Sequence, residues 1–271
     1  MPMITANNLK FHYKDYTPET GPRGRKPTPL VFLHGFTLDC RMWYPQADFF
    51  KNDYRVVLMD ARGHGLSEAP LSGYGRADRV EDLHDFVEAL KIEKMHLIGL
   101  SMGGSTAIGF ALKYQGYLKS LTLVSTGAAG YKIGGKISAL DKLAKEKGLA
   151  AVKKRWKEMS LVYYDEPQQE TRDWLEKMMD EHSGAVWMDP MRGLYPPAVD
   201  LDHVHTIAVP TALFAGSEDQ VFVRLAGELR ERIPGSVLRV YEGIGHMLNL
   251  EAAERFNVDL KQFIDRAEVR R

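Results

Sequence analysis

Met95-His96-Leu97-Ile98-Gly99-Leu100-Ser101-Met102-Gly103-Gly104 carries an apolar strand-like run, Met95 to Leu100, directly into a helix-like one, Gly104 to Leu112. The join is Gly99-Leu100-Ser101-Met102-Gly103, which puts Ser101 on a tight strand-to-helix turn. Such a turn crowds the backbone on both sides. Only small residues fit its flanks, while the serine takes strained dihedrals and exposes its hydroxyl, the posture of a nucleophile. In a chain with 24 glycines the same five residues also describe an ordinary glycine-rich turn, so position and partners must carry the case.

Other short apolar runs flank this one: Leu30 to Leu33, Arg55 to Met59, Leu121 to Val124, Thr211 to Ala215 and Val237 to Tyr241. They read as strands buried on both faces. Ile4 to Tyr16, broken at Asn7-Asn8, reads as a hairpin. Between most strands lie helical spacings: Val80, Leu83, Val87 and Leu90; Phe222, Leu225, Leu229 and Ile233; Phe256, Leu260, Phe263 and Ile264. The alternation predicts an α/β fold with a mostly parallel, doubly wound sheet. It is interrupted over residues 131–205, where three amphipathic stretches appear without a strand: Ile137, Leu140 and Leu143; Leu149, Val152 and Trp156; Trp174, Met178 and His182. This segment is expected to be a helical insertion that caps the carboxyl edge of the sheet, with residues 1–130 and 206–271 forming the core domain.

Composition narrows the function classes. The 271 residues carry 36 Lys plus Arg and 36 Asp plus Glu, so a general polyanion-binding role is disfavoured and nucleic acid is not an expected partner. Cys40 is the only cysteine, which excludes an intramolecular disulfide and predicts a reducing, cytoplasmic setting. The first residues lack the apolar core of a secretory signal, and no stretch approaches the roughly 20 apolar residues of a membrane span.

A serine hydroxyl is a poor nucleophile at neutral pH and needs a base, which in turn needs an orienting acid. His246, in Gly243-Ile-Gly-His-Met, follows one strand, and Asp219, in Gly216-Ser-Glu-Asp, follows another. With Ser101 they all fall at carboxyl ends of strands, where α/β sheets bind ligands. Glu218 is the rival acid, with a longer side chain needing a different loop path. His34 and His64 also follow strands but are expected to fix loop shape. His203 and His205 resemble a metal pair without further ligand spacing, and no metal site is expected. The oxyanion of an acyl transfer needs backbone donors, for which the amides of Met102, at a helix start, and Phe36, in His34-Gly-Phe-Thr, are the candidates. Neither Gly35-Phe-Thr-Leu-Asp nor Gly63-His-Gly-Leu-Ser completes a dinucleotide-binding glycine pattern, so no cofactor is implied.

Taken together, His34-Gly-Phe, Asp60-Ala-Arg-Gly-His-Gly-Leu-Ser, Gly99-Leu-Ser-Met-Gly-Gly, Gly216-Ser-Glu-Asp and Gly245-His246 resemble the α/β-hydrolase superfamily over nearly the whole chain, and in particular its small cofactor-free carboxylesterases and 3-oxoadipate enol-lactonases. The resemblance implies the α/β-hydrolase fold, and a structural turn at Asp60 to Ser67. It also implies that a serine nucleophile separates this chain from the haloalkane dehalogenases and epoxide hydrolases, which use aspartate.

The expected activity is a serine hydrolase cleaving carboxylic esters or lactones of small, largely apolar molecules. Two alternatives keep the fold: a carbon–carbon bond hydrolase or lyase with the same triad, and a small-molecule-sensing receptor with little turnover. Trp43, near the oxyanion loop, and Trp187, in the insertion, are candidate pocket walls. Arg192, isolated among Met191, Gly193 and Leu194, is a candidate partner for a substrate carboxylate.

Overall fold

A computed structural model describes residues 2–19, 28–131, 136–160, 169–191 and 199–269. The hairpin is present as β1 (Met3–Ala6) and β2 (Leu9–Tyr16). Asn7 and Asn8 turn it at positive φ, a conformation that asparagine tolerates better than most residues. There follow β3 (Pro29–Leu33), α1 (Tyr44–Phe50), β4 (Arg55–Met59), α2 (Arg76–Ala89), β5 (Met95–Leu100), α3 (Met102–Tyr114) and β6 (Leu118–Val124). After the intervening helices come β7 (Thr211–Gly216), α8 (Gln220–Arg232), β8 (Val237–Tyr241), α9 (Leu248–Glu251) and α10 (Ala253–Val269). The expected strand β6 begins earlier than its apolar run, because Ser120 is fully buried and pairs its hydroxyl with His96 Nδ1 at 2.7 Å.

The eight strands form one sheet in the order β1-β2-β4-β3-β5-β6-β7-β8, parallel from β4 through β8. β3 stands between β4 and β5, so the chain first winds to one side and then reverses to the other. That reversal opens the crevice in which α/β sheets take ligands. Register aligns the carboxyl ends: Leu33 faces Gly99, Leu100 faces Val124, and Gly216 faces Tyr241.

Alternate residues of the central strands enter two different cores. Leu30, Phe32, Leu58 and Ile98 pack with Trp43, Phe50, Phe256 and Leu260 on one face. Val31, Leu33, Val57 and Leu97 pack with Phe86, Ile108, Phe110 and Leu225 on the other. Burial on both faces is why these strands read as continuous apolar runs.

Between β6 and β7 the described elements include α4 (Lys136–Ser160), α5 (Gln169–Glu181), α6 (Ala185–Met188) and α7 (Asp200–His203). α4 consists of two helical stretches meeting at Gly148, whose φ of 81° interrupts the helix. Leu140, Val152, Val186 and Trp187 make a third apolar cluster with Tyr74, and Phe36 packs against it. Polar contacts fasten these helices to the strand loops: Trp156 Nε1 donates to Thr37 Oγ1 at 2.7 Å, and Ser183 Oγ to the Gly63 carbonyl at 2.7 Å. Among the described residues no helix is long and apolar enough to cross a membrane.

Candidate active site

Ser101 sits between the last residue of β5 and the first of α3 with φ 54° and ψ −108°. This is a costly conformation for a residue with a Cβ, and the surroundings must over-determine it. They do so through the backbone: Ser101 N–H donates to the Val124 carbonyl at 3.0 Å, and its own carbonyl accepts from Ser105 at 3.0 Å and Gly127 at 3.3 Å. A Cβ on Gly103 would collide with the Leu33 carbonyl, and one on Gly104 with the Thr126 side chain, so glycine is what lets α3 start this close to β3 and β6. Ser101 Oγ makes no hydrogen bond to another described residue.

Asp219 and His246 are brought together. His246 Nδ1 donates to Asp219 Oδ2 at 2.6 Å, which leaves Nε2 as the ring nitrogen available for a proton. The two loops are in close apposition because Gly216 has no side chain: a Cβ there would meet the carbonyls of Ile244 and Gly245. Glu218 N–H donates to the Ile244 carbonyl at 3.0 Å, while the Glu218 carboxylate turns aside to accept from Ser217 Oγ. Between the two acids, the geometry therefore pairs Asp219 with the imidazole. Two further residues hold His246: Glu251 was not singled out in the sequence, and Phe222 was read there only as part of a helical stripe. Phe222 lays its ring 4.6 Å from the imidazole, centroid to centroid. Glu251 accepts from the amides of Gly245 at 2.7 Å and Met247 at 2.9 Å, one on each side of His246.

Met102, as the first residue of α3, has an N–H without an intrahelical acceptor at the positive end of the helix dipole. The opposing loop, from His34 to Thr37, is fixed by His34, which donates from Nδ1 to the Gly35 carbonyl (2.8 Å) and accepts at Nε2 from Ala61 N–H (2.9 Å). His64 donates from Nδ1 to the Arg62 carbonyl at 2.9 Å. Both histidines thus shape loops. Burial, with His182 and His34 close by, drives His64 well below the ordinary imidazole range, and burial lowers His182 to about 3.

The turn from Asp60 to Ser67 is anchored by Asp60, which accepts from Cys40 N–H (2.7 Å), His12 Nδ1 (2.7 Å) and Leu66 N–H (3.0 Å). Burial alone would raise its pKa, but the His12 hydrogen bond, the nearby His34 and these amides hold it below the ordinary carboxylate value. His12, Cys40 and Asp60 bring metal-type ligand atoms within 4.8 Å of one another. The donor set does not suit a cation: the Asp60 oxygens are already committed to N–H donors, and burial pushes the Cys40 thiol up, away from the thiolate that binds metal. His203 and His205 are exposed, at the end of α7 and in the turn that follows it, and belong to no such group among the described residues.

The pocket expectations fare differently. Trp43 is not a pocket wall: it is fully buried in the core between Phe32 and Phe256, with centroids at 5.1 and 6.3 Å. Its 3₁₀ turn, Cys40–Trp43, directs the side chain inward. Trp187 is also buried, edge-on beneath Phe36 at 5.4 Å, so Phe36 covers it. Arg192 lies outside the described residues.

Residues 30–259 match the family model described as "Alpha/beta hydrolase family". The chain is 30% identical over 270 residues to a monoacylglycerol lipase of Xenopus laevis, covering 90% of this chain and 76% of that protein. It is 29% identical over 232 residues to a 3-oxoadipate enol-lactonase of Acinetobacter baylyi, with 84% and 85% covered. Among solved structures, an esterase from Exiguobacterium antarcticum superposes with a TM-score of 0.83 at 25% identity, covering 97% of this chain and 98% of that one.

Proposed function

The chain belongs to the alpha/beta hydrolase family, and on that premise we propose that it is a carboxylic ester hydrolase acting through an acyl-enzyme on Ser101. The observation that carries the reading is the 2.6 Å hydrogen bond between His246 and Asp219, on the same sheet edge as the strained turn of Ser101. Ser101 Oγ attacks the substrate carbonyl as its proton passes to His246 Nε2. Asp219 keeps the imidazole in the tautomer that accepts at Nε2 and stabilises the imidazolium that forms. The amides of Met102 and Phe36 receive the oxyanion; the Met102 peptide is polarised because the Ser101 carbonyl already accepts two hydrogen bonds. His246 then protonates the departing alkoxide, and water, deprotonated by the same imidazole, releases the acid.

Substrate class follows from the relatives, an enol-lactonase and a monoacylglycerol lipase among them, and from the apolar surroundings of Phe36, Trp156 and Met159. Small, largely apolar esters and lactones fit both. In this reading α4, α5 and α6 act as the cap over the site. The test is covalent. A fluorophosphonate should label the wild-type chain once, at Ser101, and hydrolysis of short para-nitrophenyl esters and labelling should both vanish in Ser101→Ala. A label mapped elsewhere, or persisting in the variant, overturns the assignment.

A further inference from the structure

We propose that Trp156, carried on α4, is a positioning residue that holds the oxyanion loop in its working shape, so that the oxyanion hole is complete only while the helical segment is seated. The inference rests on the reading of Phe36 as an oxyanion donor. Thr37, the next residue, has φ 62°, a left-handed conformation that a β-branched side chain rarely adopts. It is 1% exposed, and its hydroxyl is used twice. Thr37 Oγ1 donates to the Phe36 carbonyl at 2.6 Å and accepts from Trp156 Nε1 at 2.7 Å.

The result is a directed chain from indole N–H through hydroxyl O–H to backbone C=O, in which each bond polarises the next. The same indole meets the Phe36 ring edge to face, 5.3 Å between centroids at 77°. Trp156 therefore grips Phe36 twice, once by its side chain and once through Thr37. This grip spans 119 positions of sequence and joins the segment between β6 and β7 to the loop after β3. Without it, Thr37 is free to relax toward negative φ, which turns the Phe36–Thr37 peptide and, through the Phe36 backbone, draws the preceding peptide, whose N–H is the oxyanion donor, away from the attacked carbonyl. Substrate binding needs no such order in the loop. Stabilisation of the tetrahedral oxyanion does, because preorganised donors act only when aimed at the charge as it develops.

Trp156→Phe keeps an aromatic ring and removes the N–H. It should lower kcat by about 10-fold or more, a part of the loss that deleting an oxyanion donor brings, with KM changed less than about 2-fold. Affinity for a trifluoromethyl ketone, which presents a tetrahedral oxyanion, should fall by the same factor as kcat/KM. The decisive variant adds Thr37→Gly to Trp156→Phe: glycine takes positive φ without help, so much of the lost kcat should return. Loss confined to KM, or no recovery in the double variant, overturns the inference. With the fluorophosphonate label on Ser101, an unchanged kcat in Trp156→Phe overturns this inference alone. A label elsewhere removes the reading on which it rests.

Discussion

His246 Nδ1 lies 2.6 Å from Asp219 Oδ2, although the two residues follow different strands and their hydrogen bond closes a separation of 27 positions. Neighbouring parallel strands with aligned carboxyl ends make the pairing, since β7 and β8 are in register to Gly216 and Tyr241. If the bond selects the imidazole tautomer, Asp219→Asn should preserve the fold and lower kcat by about 10³- to 10⁴-fold, the scale on which a mis-set tautomer acts. Glu218→Gln should change kcat by less than about 2-fold. Steady-state hydrolysis of para-nitrophenyl acetate checks both, and equal losses in the two variants would remove Asp219 from its role.

Phe222 and Asp219 approach the same imidazole from one place, the start of α8, where Asp219 is the N-cap and Phe222 falls in the first turn. One accepts from the ring's Nδ1 and the other packs against the ring at a tilt of 51°. An aromatic contact of this kind contributes roughly 0.5–1.5 kcal/mol, so Phe222→Ala should reduce kcat by about 2- to 10-fold through a less ordered base. A change in KM alone, scaling with acyl length, would instead mark Phe222 as a pocket wall.

What was legible in the sequence, and what was not, divides along physical lines. Strands buried on both faces announce themselves as apolar runs, so β4 and β5 fall where their residues indicated; β8, an edge strand that is mostly exposed, also falls where its β-branched residues indicated, and Ser101, Asp219 and His246 were conspicuous by standing after strand runs. β6 was read short because Lys119 and Ser120 interrupt its pattern; a buried hydroxyl paired with His96 looks polar in sequence and behaves as core. Phe222, Leu225, Leu229 and Ile233 form one helical stripe on paper. The first turn of α8, however, lies at the sheet edge, so its apolar residue meets His246 while the later three meet the core. Trp43 stood near the oxyanion loop in sequence, yet a single turn reverses the direction of its side chain. Periodicity reports which residues are buried, and not which neighbour buries them.

The placement of Trp43 has a measurable consequence. A large aromatic packed among Phe32, Phe256 and their neighbours leaves a cavity when truncated, so Trp43→Ala should cost about 3–5 kcal/mol in denaturant unfolding. Trp43→Phe should leave the order of preference among esters of different acyl length unchanged. A reordered preference would return Trp43 to the pocket.

The buried pair of Arg62 and Asp82 ties the turn after β4 to α2, with Asn7 of the hairpin adding a hydrogen bond to Asp82 at 2.8 Å. Removing one member strands the other charge away from water. Asp82→Ala should therefore destabilise by roughly 3–5 kcal/mol, far more than Asp85→Ala, whose carboxylate is exposed. Urea unfolding of the two variants makes the comparison, and equal losses would show that the buried pair is not what holds this turn.

His182 and His64 meet where the helical segment lies on the core, with ring centroids 4.5 Å apart, and both are held neutral by burial. An imidazole in the unfolded chain takes a proton near about pH 6.5, whereas folded His182 resists until about 3. Between those values the unfolded state binds more protons than the folded one, so stability is fully present above about pH 6.5 and falls as the solution is acidified. From pH 6.5 to 5 the contribution lost through His182 alone is about 2 kcal/mol. His64, displaced in the same direction, steepens the slope. His182→Asn, which retains an acceptor for the Gly184 N–H that now donates to His182 Nδ1 at 3.0 Å, should flatten this acid limb while changing stability at pH 8 much less. Urea midpoints at pH 8, 6.5 and 5 for both proteins measure the difference, and parallel declines would mean that other groups drive the acid sensitivity.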